Sequence, residues 1–273
     1  IGGLMRLVDA FSQVQASLRW LVDNVAKIAD WRAALYRVMR FEQELREAHL
    51  EDADLKGIAL HEGGDGALTV ADVGVTLPDG TPVIAGASLS LAPGERVHLA
   101  GLAGVGKTTL LRAMAGLWPW GQGSITLPEA RAMMFLPARP YLPLGTLRDA
   151  VCYPDPPDAF GDAVITGALE RCGLAPWTGK LDRVARWDRD LTIGEQQRLT
   201  FARLLLHRPS LVIMDEATSA LDEPGQADLI SILTEELAGS SVLYASHRAG
   251  FGPLKARQVT LVAGAGGSRL SGD

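Results

Sequence analysis

Cysteine is scarce in this chain. Only Cys152 and Cys172 occur among 273 residues, and they form no C-x-x-C pair, so neither a zinc site nor a disulfide framework is indicated. Reduced thiols in a cytosolic setting are the simplest reading. No apolar run approaches the roughly 20 residues that a membrane-spanning helix requires, although 47% of the residues are hydrophobic and mean hydropathy is +0.12. Excess positive charge is missing too. Twenty-six Lys and Arg against 32 Asp and Glu give a formal charge of −6, which argues against nucleic acid as the main partner, because phosphate contacts need clustered cations. No signal peptide is visible, and the chain begins at Ile1 rather than Met, as expected of a piece of a longer protein. A chain of this length holds one or two domains with ample core.

Proline is absent from about residue 4 to residue 48, and apolar residues recur there at helical spacing. Leu4, Leu7, Val8, Phe11, Val14, Leu18, Leu21, Val22, Val25 and Ile28 fall on one face of a helix, and Trp20, Trp31 and Tyr36 enrich the same region. At 1.5 Å per residue this helix would be roughly 65 Å long, too long for one compact domain to cover. It is expected to dock on a partner helix bundle rather than on its own domain. The charged stretch 51–66, ending in His61-Glu-Gly-Gly-Asp-Gly66, reads as a linker.

The stretch that organises the rest is Gly101-Leu-Ala-Gly104-Val105-Gly106-Lys107-Thr108-Thr109. A strand-like run, 96–100, enters it and a helix-like run, 110–115, leaves it. This is G-x-x-x-x-G-K-[ST] in strand–loop–helix context, the mark of a P-loop. Glycines let successive backbone N–H groups turn toward a phosphate, and the following helix adds its positive end. Lys107 can then reach the β- and γ-phosphates, while the Thr108 hydroxyl can ligate Mg²⁺. Before the loop, runs at 67–77, 82–92 and 95–100, broken by Pro-Asp-Gly and Ala-Pro-Gly turns, predict a small antiparallel sheet. His98 reads as a core histidine.

Downstream, 124–127 and 131–136 are candidate strands, and 159–187 has a helical pattern interrupted by Gly and Pro. Leu191-Thr192-Ile193-Gly194-Glu195-Gln196-Gln197-Arg198 opens a helix whose first N–H groups could face an anion. Leu211-Val-Ile-Met214-Asp215-Glu216 is a buried-type strand closing on two carboxylates, at the end where open α/β sheets bind ligands. Asp215 is placed to hold Mg²⁺ and Glu216 to orient or deprotonate water. Ser219-Ala-Leu-Asp222 follows, then a helix to residue 237. A third apolar strand, 241–245, ends in Ser246 and His247, and this histidine could contact the γ-phosphate. A last strand over 258–263 precedes an expected loose tail.

In order and spacing these residues resemble the nucleotide-binding domain of an ABC transporter. The P-loop is followed by a signature sequence at 191–198, a Walker B strand at 211–216, a D-loop at 219–222 and a switch histidine, His247. Within the family, the runs 135–147 and 187–198 are similar to the ALD-type peroxisomal fatty-acyl exporters, and more so to bacterial relatives that take up antimicrobial peptides, bleomycin or cobalamin. The resemblance implies an α/β fold: a P-loop NTPase (RecA-like) core, a small antiparallel β subdomain and an inserted helical subdomain at about 140–195, preceded by the long N-terminal helix. It implies a nucleotide-binding domain over 67–265 with a tail at 266–273, and residues 1–50 as the end of a permease and its extension.

The resemblance further implies ATP and Mg²⁺, and a homodimer with ATP sandwiched between the P-loop of one copy and Thr192–Gly194 of the other, with Glu195 and Asp222 also among the cofactor-binding residues. Lys107, Glu216 and His247 become the catalytic set, Thr108 and Asp215 the metal ligands, and a permease, in the same full-length chain, the second partner. The place of action would be the cytoplasmic face of the inner membrane. Three departures matter: Thr192 replaces the usual serine, whose bond its hydroxyl can still make, and two others bear on coupling or rate and on adenine stacking. Ala138 stands where the family carries the Q-loop glutamine, and Leu77 where an aromatic usually stacks on adenine. Ala138 keeps a second reading open: a degenerate ATP-binding regulatory domain with little hydrolysis. A soluble ABC ATPase of DNA repair or translation is disfavoured by the acidic charge.

Overall fold

The computed structural model describes residues 2–54, 57–63, 68–129, 132–248, 250–264 and 266–272. Parts of the expected linker (55–56 and 64–66) and residues 67 and 131, at the starts of two expected strands, lie outside them. The chain forms two units, one up to Leu55 and one from Lys56 onward.

The first unit is a single helix, α1 (Gly2–Asp54), uninterrupted because nothing in it breaks the hydrogen-bond ladder. Phe11, Val14, Val25, Ile28 and Tyr36 share a stripe and are all exposed. The side chains of Leu4, Leu7, Val8, Leu18, Leu21 and Val22 lie outside the described set. Trp20 and Trp31, also exposed, fall on the opposite side of the helix at 100° per residue, so α1 is apolar on more than one face. None of the described helices is long and apolar enough to cross a membrane.

In the second unit, β1 (Ala59–Glu62), β2 (Leu68–Thr76), β3 (Pro82–Leu91) and β4 (Arg96–Ala100) lead to the P-loop, which α2 (Lys107–Met114) leaves. Then come β5 (Gly121–Leu127) and β6 (Met133–Leu136). The inserted helical portion holds β7 (Gly145–Thr146), α3 (Leu147–Cys152), α4 (Asp162–Arg171), β8 (Val184–Ala185) and α5 (Trp187–Asp190). The chain closes with α6 (Ile193–His207), β9 (Leu211–Asp215), α7 (Glu223–Glu235), β10 (Ser241–Ala245), β11 (Arg257–Val262) and β12 (Ser268–Gly272).

Ten strands make one curled sheet in the order β1-β5-β2-β3-β12-β11-β4-β10-β9-β6. From β11 to β6 every pairing is parallel, whereas β2 runs antiparallel to both β3 and β5. All five residues of β9 and of β10 are buried, the continuous apolar pattern of strands covered on both faces. Alternation then divides them between two cores. Leu211, Ile213, Leu243 and Ala245 pack with Leu110, Leu111 and Met114 of α2. Val212, Met214, Val242 and Tyr244 pack with α6, α7 and the inserted helices.

Two stretches depart from expectation. Part of the supposed linker is β1, pairing in parallel with β5 from Ala59↔Ser124 to Glu62↔Leu127. Its side chains are all exposed, so it is held by backbone hydrogen bonds at a sheet edge and leaves no hydrophobic pattern. Likewise the supposed loose tail contains β12, inserted between β11 and β3.

Arg203 joins the inserted portion to α6. Its guanidinium donates to Ala150 O at 2.8 and 2.6 Å and to Tyr141 O at 3.0 Å, and lies over the Tyr153 ring. Burial pushes it down to about 10. Phe201, two residues earlier on α6, is fully buried. Truncation of Phe201 to Ala should destabilise this unit by about 3–5 kcal/mol, read as a lower urea midpoint with an unchanged slope.

Candidate active site

Parallel pairing brings three strand ends together. Ala245 of β10 lies opposite Asp215 of β9, and Tyr244 lies opposite both Met214 and His98 of β4. Residues following β4, β9 and β10 therefore meet at the carboxyl edge of the sheet. There a cavity of about 380 Å³ is lined by Ala103, Gly104, Gly106, Lys107, Thr108 and Thr109 together with Asp215, Glu216 and His247.

The loop reaches this shape because two glycines permit it. Gly101 has φ 147°, and a Cβ there would sit 2.6 Å from Leu261 O; Gly106 has φ 97°, and a Cβ would sit 2.7 Å from Val83 Cγ1. Val105 turns its side chain into the core, leaving its backbone to the loop. Gly106 is the N-cap of α2 and supplies no side-chain cap, so the first N–H groups of α2 have no side-chain acceptor. That is the arrangement helix N-termini use for anions.

The Lys107 ammonium donates to Gly101 O at 2.8 Å and Leu102 O at 2.9 Å, and its Nζ lies 3.1 Å from His247 Nε2. Burial lowers it below the ordinary lysine value, opposed by the charges of Glu216 and Asp215. The Thr108 hydroxyl donates to Asp215 Oδ1 at 3.1 Å, and Asp215 is buried. Hydroxyl and carboxylate oxygens side by side, beside a phosphate-binding loop, are a hard donor set suited to Mg²⁺.

Glu216 adopts φ 52°, a left-handed backbone uncommon outside glycine. Its N–H donates to Ala245 O at 3.1 Å, and its carbonyl accepts from Ser219 N–H at 3.1 Å. Its Oε1 is buried with no hydrogen-bond partner among the described residues and lies 3.8 Å from His247 Nε2. An unpaired buried carboxylate oxygen calls for explanation, and here it sits in the wall of the cavity.

Of the expected residues, Gly101 and Val105 belong to the loop without lining the cavity, and four more lie away from it. Thr192, Gly194, Glu195 and Asp222 are not in the cavity wall. Thr192 is the N-cap of α6 in a capping box: Glu195 N–H donates to Thr192 Oγ1, and Thr192 N–H and Oγ1 both donate to Glu195 Oε2 at 2.8 Å. The helix start expected to offer free N–H groups thus satisfies part of its own demand. The Trp177 indole donates to Glu195 Oε1 at 2.9 Å. Burial acts to raise Glu195, but Trp177 and Thr192 outweigh it and hold the carboxyl below its ordinary value. Asp222 caps α7 by accepting from Gly225 N–H at 3.1 Å.

Sequence reading missed Gln197 and Arg248. Gln197 is fully buried, and its amide reaches Ala138 O, Ser219 Oγ and Ala220 N–H. Its signal was a glutamine on the helical face shared with Phe201 and Leu204, where the period asks for an apolar residue. Arg248 donates to Ser219 O and carries no such signal. His98, read as a core histidine, stacks on Tyr244 at 4.8 Å and reaches Ser246 O at 3.4 Å.

A P-loop and an Asp-Glu strand end around one cavity define a nucleoside-triphosphate site on an α/β sheet. The family model described as ABC transporter matches residues 84–219, and the chain belongs to that family through its ATP-binding domain. It is 35% identical to an uncharacterized ABC transporter ATP-binding protein of Synechocystis, over 90% of this chain and 38% of the relative. It is 29% identical to the inner membrane ABC transporter ATP-binding protein YddA of Escherichia coli K12 (92% and 43%) and 32% identical to the lysosomal cobalamin transporter ABCD4 of Mus musculus (89% and 43%). The chain spans about two fifths of the length of these relatives. A bacterial Atm1-family ABC exporter solved with ATP bound shares the fold, with TM-score 0.65 and 23% identity over 86% of this chain and 45% of that one.

Replacing Thr192 with Ala should cost about 1 kcal/mol at neutral pH. Because Glu195 is held low, its contribution is full above the ordinary carboxylate value and fades as pH falls through its folded value. The difference between wild type and T192A in urea unfolding should therefore narrow from pH 7 to pH 4.

Proposed function

We propose that this domain binds and hydrolyses Mg²⁺-ATP and that ATP-driven pairing of two copies powers movement of a peptide, lipid or cobalamin-like substrate across a membrane. The observation that carries the hydrolytic part is the buried Oε1 of Glu216, without a hydrogen bond among the described residues and facing His247 in one cavity wall with Lys107. In this reading the loop amides and Lys107 hold the β- and γ-phosphates, and Thr108 with Asp215 would hold Mg²⁺. The metal would supply neutralisation of phosphate charge and orientation of its oxygens. Glu216 orients the attacking water or accepts its proton, and His247 supports the γ-phosphate.

The placement of the remaining residues supports the dimer. Thr192, Gly194, Glu195 and Asp222 are outside the cavity of their own chain, with Thr192 and Ile193 exposed, so they are free to close the nucleotide site of a second copy. The exposed apolar stripes of α1 support its assignment as the end of a permease that precedes the ATPase in the full-length protein. The assembly would act at the cytoplasmic face of the inner (plasma) membrane, with no nucleic acid involved. One observation favours the alternative of a domain that binds ATP and barely turns it over: the methyl group of Ala138, whose carbonyl is taken by Gln197, offers no polar group to the site.

Steady-state phosphate release separates the two. Turnover should be abolished by Glu216→Gln, by at least about 100-fold, while ATP binding persists and ATP-bound dimers accumulate in size-exclusion chromatography. Lys107→Ala should lose ATP affinity itself. A wild type that binds ATP without releasing phosphate, and that E216Q leaves unchanged, would establish the regulatory reading instead.

A further inference from the structure

The turn from Glu216 to Asp222 is gripped from two sides by side chains outside it. Gln197, on α6 and without solvent exposure, donates through Nε2 to Ser219 Oγ at 3.2 Å and Ala138 O at 2.9 Å, and approaches Glu216 O at 3.4 Å. Its Oε1 accepts from Ala220 N–H at 3.0 Å. From the other side, Arg248 Nη1 donates to Leu221 O, with Ser219 O at 3.2 Å and Thr218 O at 3.4 Å. Arg248 is the residue next to His247, and its own N–H donates to Ser246 Oγ at 3.1 Å. Every peptide from Glu216 to Leu221 except that at Ala217 is thus touched by one of these two side chains, and Ala217 is buried.

The left-handed backbone of Glu216 makes this grip consequential. A non-glycine residue in that region is energetically costly and persists only where its surroundings over-determine it. The carbonyl of Glu216 is held by Ser219 N–H and Gln197, and Ser219 is itself held by both Gln197 and Arg248. We propose that Gln197 and Arg248 are positioning residues forming a two-sided clamp on the 216–221 turn, which keeps the Glu216 carboxylate opposite His247. The clamp also joins distant parts of the unit. Displacement of the backbone at Ala138 reaches Glu216 through the Gln197 amide, without any side chain from position 138, and displacement of the turn reaches the His247 segment through Arg248.

This inference rests on Glu216 acting in ATP hydrolysis, and the experiment separates the two. Phosphate release and ATP affinity are measured on the full chain for wild type, Glu216→Gln, Gln197→Met, Arg248→Met, Arg248→Lys and the double Met variant, with thermal unfolding in parallel. The clamp predicts a fall in kcat of about 10-fold or more for each Met variant with KM for ATP within about twofold, because neither side chain lines the phosphate cavity. Arg248→Lys should recover much of the rate, its ammonium donating to the same carbonyls. Since loss of either side frees the same turn, the double variant should be no slower than the slower single one.

Should Gln197→Met fail to fold, the half-buried Arg248 decides the matter through its Met and Lys variants. An active wild type, silenced by Glu216→Gln, in which Arg248→Met keeps the wild-type kcat would overturn the clamp and leave the functional reading intact. So would multiplicative losses in the double variant, or a fall in ATP affinity equal to that in kcat. A wild type that releases no phosphate would overturn the hydrolytic reading and the clamp with it.

Discussion

Parallel hydrogen bonding between β4, β10 and β9 is the constraint on which this unit depends. It levels three strand ends, so that the loop after Ala100, the carboxylates Asp215 and Glu216, and His247 emerge along one edge. Burial enforces the register. A one-residue slip of β9 would exchange Ile213 for Met214 between the two cores and turn Asp215 toward the wrong side. The same apolar alternation that stabilises the sheet therefore also aims the edge that lines the cavity.

Around that edge the protein concentrates arrangements that cost free energy elsewhere in proteins. Lys107 is an ammonium under low solvent exposure, Glu216 combines a left-handed backbone with an orphaned carboxylate oxygen, and three glycines of one loop have positive φ. Each is held by ordinary bonds from outside the cavity: carbonyls of the loop on Lys107, the strand carbonyl of Ala245 on Glu216, and the buried amide of Gln197 beneath the turn. Of the four non-glycine residues with positive φ, Asp72, Arg208, Glu216 and Lys255, Glu216 is the one in the cavity wall, which fits a site that must present charge to a triphosphate.

Thr192 and Glu195 at the start of α6 have a complete role within the fold. Within this chain Thr192 and Glu195 complete a capping box, which is a complete local explanation for their identities. The exposure of Thr192 and Ile193 at the start of α6 is compatible with the proposed contact across a dimer, since a helix N-terminus keeps its dipole whatever caps it.

Legibility varied with the range of the cause. The P-loop, the buried strands ending at Asp215 and Ala245, and the helix from Ile193 were readable because local periodicity and turn chemistry specify them. β1 and β12 were not, since an edge strand and a short inserted strand are stabilised by backbone pairing with partners about 65 residues away in β5 and about 184 residues away in β3, which leaves little mark on side-chain pattern. Gln197 was visible only as a polar residue on an apolar face, and Arg248 not at all, because what they do depends on which carbonyls the folded turn presents. Residue order alone determined the chemistry available here: a phosphate loop, two acids and a histidine at strand ends. Only the tertiary structure decided which of them share a cavity and which stand outside it, because that follows from register and turn geometry set by contacts across the whole sheet.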